Sequence, residues 1–129
     1  MKKILTILSI LLIVGCNPII GPKDVLWLDD VTTLTVTEME AYDYSWKVGG
    51  TILNTGETTI FAPWWVEAMF YSDSTFIETF GGDRERMNFP LEPGVTGHWT
   101  LTHHFDGVDE RDYPNFAIKD LRAYTNKNR

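Results

Sequence analysis

The sequence predicts an all-β domain, an antiparallel sandwich of about seven strands, and three observations carry that prediction. From Thr33 onward apolar residues alternate with polar ones at a period of two and do not recur at helical spacing. Turn signals at Asn54-Thr55-Gly56-Glu57, Ser72 to Ser74, Gly81-Gly82-Asp83 and Leu91-Glu92-Pro93-Gly94 return at the intervals that short strands require. Five Trp, seven Phe and five Tyr residues supply large apolar area to fill the space between two sheets.

An early strand is expected near Leu34 and Val36. In Tyr44, Trp46, Val48, Gly50 and Ile52 apolar or small residues take every second place, which predicts a strand with that face buried. Asn54 to Glu57 then turns the chain, because Asn and Gly tolerate the positive φ of tight turns. The next strand runs from about Thr59 to Tyr71, with Pro63 marking an edge, a bulge or the true start of regular pairing. Trp64, Val66, Ala68 and Phe70 carry no charge and are expected inward; Trp65, Glu67, Met69 and Tyr71 are then outward. Phe76 to Phe80 reads as a short strand closed by Gly81-Gly82-Asp83. Val95 to Phe105 is a further strand, with Val95, Gly97, Trp99, Leu101, His103 and Phe105 inward and Thr96, His98, Thr100, Thr102 and His104 outward. After a loop from Asp106 to Pro114, a last strand spans Asn115 to Tyr124 with Phe116 and Ile118 inward.

The N-terminus has a different pattern. Lys2 and Lys3 precede an almost wholly apolar run from Ile4 to Val14, broken only by Thr6 and Ser9, which is the composition of a secretory signal. A membrane-spanning helix needs about 20 apolar residues, and extending this run would recruit Asn17, Pro18, Gly21 and Pro22. The run ends in Ile13-Val14-Gly15-Cys16, which resembles the bacterial lipobox. The resemblance implies a signal peptide over residues 1–15, recognised through Ile13, Val14 and Gly15, and diacylglycerol and acyl chains on Cys16 that hold the mature chain to a membrane. Cys16 is the single cysteine, so the domain is expected to fold without a disulfide. Residues 16–30 are then the lipidated Cys and tether, 31–125 the sandwich and 126–129 a polar tail. Asn17, and not Asp, follows the cysteine; this favours the outer membrane in a two-membrane cell, and otherwise the outer face of the cytoplasmic membrane.

Strand count and domain size together suit an immunoglobulin-like sandwich. Val48-x-Gly50-x-Ile52-x-Asn54-x-Gly56, then Val66-x-Ala68-x-Phe70-Tyr71-x-Asp73, then Leu91-x-Pro93-Gly94 resembles the FxLYD-type bacterial immunoglobulin-like domain, over about Tyr44 to Phe105. The resemblance implies an envelope-associated, often lipid-anchored domain with no catalytic residues to carry over.

Net charge is −7, and loss of Lys2 and Lys3 with the leader leaves nine basic against eighteen acidic residues, or −9. That balance, with no basic cluster in the sequence, argues against nucleic acid as a partner; the partner expected in addition to the membrane is an unknown envelope protein or glycan. No cofactor and no metal is expected. His98 and His104 share a strand face six residues apart, about 20 Å at about 3.3 Å per residue, too far to hold one ion, while His103 faces the other way. Asp106, Asp109, Glu110 and Asp112 lack the alternation and central Gly of a calcium loop and read as a solvated acidic loop. No Ser stands in a G-x-S-x-G context, and the carboxylates are scattered over turns, so the chain is expected not to be an enzyme. A metal site using His104 and Asp106 with a ligand from elsewhere is the alternative for these residues, and a metal-assisted enzyme is an alternative for the chain. The positions that invite a binding role are Trp65, Met69 and Tyr71, large side chains on an outward row that could stack on sugar rings or anchor a partner, unless Val25 to Leu28, with Trp27, or a neighbouring loop covers them.

Overall fold

The computed structural model describes residues 24–127. The lipobox residues Ile13, Val14, Gly15 and Cys16, with the leader and the first part of the tether, lie outside the described residues. Seven strands are present among the described residues: β1 (Val25–Trp27), β2 (Thr32–Tyr42), β3 (Ser45–Asn54), β4 (Trp64–Tyr71), β5 (Thr79–Met87), β6 (Thr96–His103) and β7 (Ala117–Asn126). Short 3-10 turns occupy Asp29–Val31 and Glu110–Asp112. The strands form two antiparallel sheets, β1-β7-β4-β5 and β2-β3-β6, and the chain crosses between them after β1, β3, β5 and β6. The result is a seven-stranded antiparallel β-sandwich, as the alternation predicts. Among the described residues no helix is long and apolar enough to cross a membrane.

The core forms where the uncharged rows meet. Trp46, Val48 and Ile52 of β3, Trp64, Val66, Ala68 and Phe70 of β4, and Trp99 and Leu101 of β6 are all buried. Their indole N–H groups need acceptors inside this dry layer: Trp64 donates to the Phe89 carbonyl at 2.7 Å and Trp99 to the Thr51 carbonyl at 2.9 Å. Trp46 stacks on Phe80 at 4.8 Å between ring centroids and leaves its own N–H without a partner. Asn54 is buried at the end of β3. Its Oδ1 accepts from the Gly56 amide at 2.9 Å, and its Nδ2 donates to the carbonyls of Thr58 and Leu91 at 2.9 and 2.8 Å. One side chain thus closes the predicted turn and ties it to the chain entering β6.

Several expectations are corrected. Regular pairing of β4 starts at Trp64, directly after Pro63, which has no N–H to give to a ladder. Tyr44 is not an inward strand residue: it sits in the β2–β3 turn at φ 67° and is 77% exposed. Gly81-Gly82-Asp83 does not end a strand. It lies inside β5, where β4 pairs Met69 with Gly82 and Tyr71 with Thr79, so that β5 carries one extra residue and Gly81 takes φ 84°. The glycine serves a bulge, a use that sequence alone does not distinguish from a turn. Phe76 precedes this strand, and Val95 and Phe105 fall beyond the ends of β6 and are exposed. Val25–Trp27, placed by sequence in the tether, is an edge strand that pairs Trp27 with Tyr124 and Val25 with Asn126.

Candidate interaction face

Antiparallel partners standing directly opposite share a face, so the register of the four-stranded sheet fixes what its outer surface presents. Trp27 of β1 stands opposite Tyr124 of β7, Tyr124 opposite Trp65 of β4, and Trp65 opposite Arg86 of β5. The next row is Arg122, Glu67 and Arg84, and the one beyond it is Lys119, Met69 and Gly82. An aromatic row therefore runs across the sheet beside a row of two arginines flanking one carboxylate.

The aromatic row is packed. Tyr124 is fully buried, with Trp65 stacked on it at 5.5 Å and 10° and Trp27 set edge-on at 5.5 Å and 66°. Burial raises the Tyr124 phenol, against the opposing pull of Arg84, and the neutral hydroxyl accepts from Arg84 Nη1 at 2.7 Å. Glu67 is also fully buried, although it belongs to the outward row. Arg122 Nε donates to its Oε2 at 2.9 Å, while Oε1 has no hydrogen-bond partner. The Arg122 guanidinium lies 4.1 Å from the Trp27 ring centroid, a cation–π contact that joins the two rows.

Of the three positions singled out from sequence, Trp65 lies in the aromatic row and Met69 in the row with Lys119, both half-buried. Tyr71 is half-buried at the far end and packs edge-on against Phe76 at 5.2 Å, not against the row. Trp27 covers part of the face, as the alternative reading supposed. Sequence reasoning missed Glu67, Arg84, Arg86, Arg122 and Tyr124. A signal existed for two of them: Arg84 and Arg86 stand two apart, as residues on one strand face do, but β5 had been closed too early at Gly81. Four basic residues that are scattered in sequence, Arg84, Arg86, Lys119 and Arg122, thus come to one face. A groove of about 600 Å³ opens beside β1, bordered by Trp27, Ile60, Phe61, Asn126 and Lys127 among others.

The histidines and the acidic loop assemble elsewhere. His103 ends the inward row of β6; its Nε2 lies 2.6 Å from the Phe80 carbonyl and its Nδ1 3.1 Å from Asp83. His104 faces two carboxylates, Glu110 at 2.6 Å through Nδ1 and Asp106 at 3.1 Å through Nε2. Both rings thus have acceptors at both nitrogens, which the imidazolium satisfies. Glu110 is not part of a solvated loop: it is fully buried and also accepts from the Phe105 amide at 3.0 Å. Asp109 is engaged by Arg111 at 2.8 Å. These groups hold the 104–113 loop against the sandwich, and among the described residues no set of three or more His, Cys, Asp or Glu side chains is arranged to hold a metal ion. In comparisons with known proteins, no family model, no curated protein and no solved structure matches this chain.

Proposed function

We propose that this chain is a bacterial envelope lipoprotein, held to a membrane by diacylglycerol and acyl chains on Cys16, whose sandwich is a non-catalytic interaction or spacer module. The outer face of the four-stranded sheet is its contact surface. One observation carries the second part: in a chain of net charge −7, four basic side chains share one face with two indoles. The first part rests on the lipobox-like run and on the leader before it.

Two measurements test the reading separately. Mass spectrometry of the cell-derived protein is expected to find an N-terminal, acylated Cys16, and Cys16→Ala is expected to leave an uncleaved precursor; an unmodified thiol on a chain still beginning at Met1 overturns the anchor. For the face, a photoreactive side chain placed at Arg86 is expected to capture an envelope component that the same group at Thr51, on the opposite sheet, does not. Equal capture at both positions, or at neither, overturns the assignment of the surface.

A further inference from the structure

The basic residues of the described chain divide into two groups. Lys47 is paired with Glu38 at 3.6 Å, Arg111 with Asp43 and Asp109, and Arg122 with Glu67. Among the described residues, Arg84, Arg86, Lys119 and Lys127 stand within ion-pair distance of no carboxylate, although acids outnumber bases in the sequence. Lys127 follows the end of β7, and the other three lie on the outer face of the four-stranded sheet. Arg84 is fixed by the Tyr124 hydroxyl, and Lys119 lies 5.1 Å from the Phe76 ring centroid. Unneutralised cations held in place beside aromatic rings are complementary to a ligand that brings both negative charge and flat apolar surface.

We propose that this face binds an acidic polysaccharide, a chain of pyranose rings bearing carboxylates or phosphates. The inference rests on the reading of the face as the contact surface and names the ligand. Sugar rings present C–H faces that pack on indoles, and their acidic groups accept paired N–H donors from guanidinium. Trp27 and Trp65 lie two strands apart, about 10 Å at about 4.8 Å per strand, so consecutive rings of one chain can lie along the row. Arg84 and Arg86 border the row on β5. At its other end Trp27 also borders the groove beside β1, whose rim carries Thr58, Thr59, Asn126 and Lys127, so the row leads from a flat face into a concave one with polar groups. Glu67 is a positioning residue: buried, it holds Arg122 over Trp27 and keeps that ring edge-on to Tyr124.

A bilayer surface is disfavoured by the same observations, and a nucleic acid, which also brings negative charge and flat rings, is separated from a polysaccharide by the oligothymidylate arm of the test. A bilayer surface selects protruding apolar side chains, but the aromatic row is interlocked and Tyr124 is fully buried; the most exposed large apolar residue, Ile77 at 86%, stands in the β4–β5 turn.

The test uses the full chain in detergent, titrated with polygalacturonate and followed by Trp fluorescence and co-sedimentation. Dextran, polyglutamate and an oligothymidylate are the comparison probes. Polygalacturonate is expected to bind saturably and less tightly as salt rises, with the other three bound at least about tenfold more weakly. The double variant R84Q/R86Q, with its urea midpoint checked against the wild type, is expected to weaken polygalacturonate binding about tenfold. Equal binding of polyglutamate or of the oligothymidylate overturns the glycan assignment, as does an unchanged affinity in the folded double variant. If polygalacturonate fails to bind while the photoreactive group at Arg86 captures a protein, the ligand class falls and the contact surface stands; failure of both removes both.

Discussion

The outer faces of the two sheets follow the same alternation and end in opposite conditions. On the three-stranded sheet the outward rows are Thr35, Thr51 and His98, then Thr33, Leu53 and Thr96, then Glu40, Lys47 and Thr102. Each polar group there meets water, and the ion pair between Lys47 and Glu38 is 3.6 Å long with both side chains well exposed. On the four-stranded sheet the outward rows fold over one another. Tyr124 and Glu67 reach zero exposure under Trp27, Trp65 and the arginines, so this surface carries a second packed layer. Alternation decides which way a side chain leaves the backbone, and the size of its neighbours decides whether it meets solvent.

The sharpest way to break this comparison is to remove one partner of an ion pair on each face. Arg122→Ala leaves the Glu67 carboxylate buried with both oxygens unpaired, and urea unfolding of the full chain is expected to show a loss of about 3 kcal/mol. Lys47→Ala exposes a carboxylate that water already reaches and is expected to cost less than about 1 kcal/mol. The double variant Glu67→Leu with Arg122→Met is expected to recover most of the loss, since buried pairs contribute little net stability over apolar residues of similar volume. Equal costs for Arg122→Ala and Lys47→Ala would show that the outer layer of the four-stranded sheet is as solvated as the threonine face.

A second comparison concerns apolar area. Trp65→Ala removes the ring that covers Tyr124, and because Trp65 is itself only half-buried the expected cost is about 2 kcal/mol, below that of a fully buried indole. Thr51→Ala, on the outward row of the three-stranded sheet, is expected to stay within about 0.5 kcal/mol. Urea midpoints on the two full-length variants check the pair. A Trp65 variant as stable as Thr51→Ala would mean that the stack on Tyr124 holds nothing together.

The inner layer was legible in the sequence and the outer one was not. Trp64, Val66, Ala68 and Phe70 point inward because an uncharged row of period two leaves a strand one way to bury itself, and all four have zero exposure. The same row logic correctly sent Trp65, Glu67, Met69 and Tyr71 outward, yet it carries no information about what arrives from β1, β5 and β7. Arg84 and Arg86 were hidden because Gly81-Gly82 suits a turn and a bulge equally well, and the register that tells them apart is a property of two strands. Arg122 and Tyr124 meet Glu67 and Trp65 across 55 and 59 residues of sequence, a pairing that no local pattern encodes. Glu110 was misjudged for a related reason: one carboxylate in an acidic loop looks solvated until His104 and the Phe105 amide close over it.

The smallest expected effect, the dependence of stability on pH, separates two regions by the kind of cation each uses. The cations of the four-stranded outer face that hold buried groups, Arg84 and Arg122, are guanidiniums. At the end of β6 the cations are imidazoliums. Burial opposes charge on His103, but its bonds to Asp83 and the Phe80 carbonyl outweigh it and raise the pKa; the bond to Glu110, opposed by slight desolvation and aided by Asp106, raises that of His104. A group whose folded pKa exceeds its unfolded value contributes fully below the unfolded value, here about 6.5, and its contribution is lost as pH climbs through the folded one. Stability is therefore expected to decline as pH rises from about 6 towards 9. Glu110 acts in the opposite sense. Burial opposes its ionisation, but hydrogen bonds from the backbone amide of Phe105 and from its own, with His104, hold its pKa low, so its contribution is present above about 4.5 and lost as pH falls through the lower folded value. Urea midpoints of the full chain between about pH 5 and 9 should fall on the alkaline side. The double variant His103→Gln with His104→Gln should flatten that fall, whereas Arg122→Ala should lower the curve and leave the alkaline fall in place. A curve flattened by Arg122→Ala and left intact by the histidine variant would place the titrating cation on the outer face, and with it would go the distinction between a face held by permanent charge and a loop held by a titrating one.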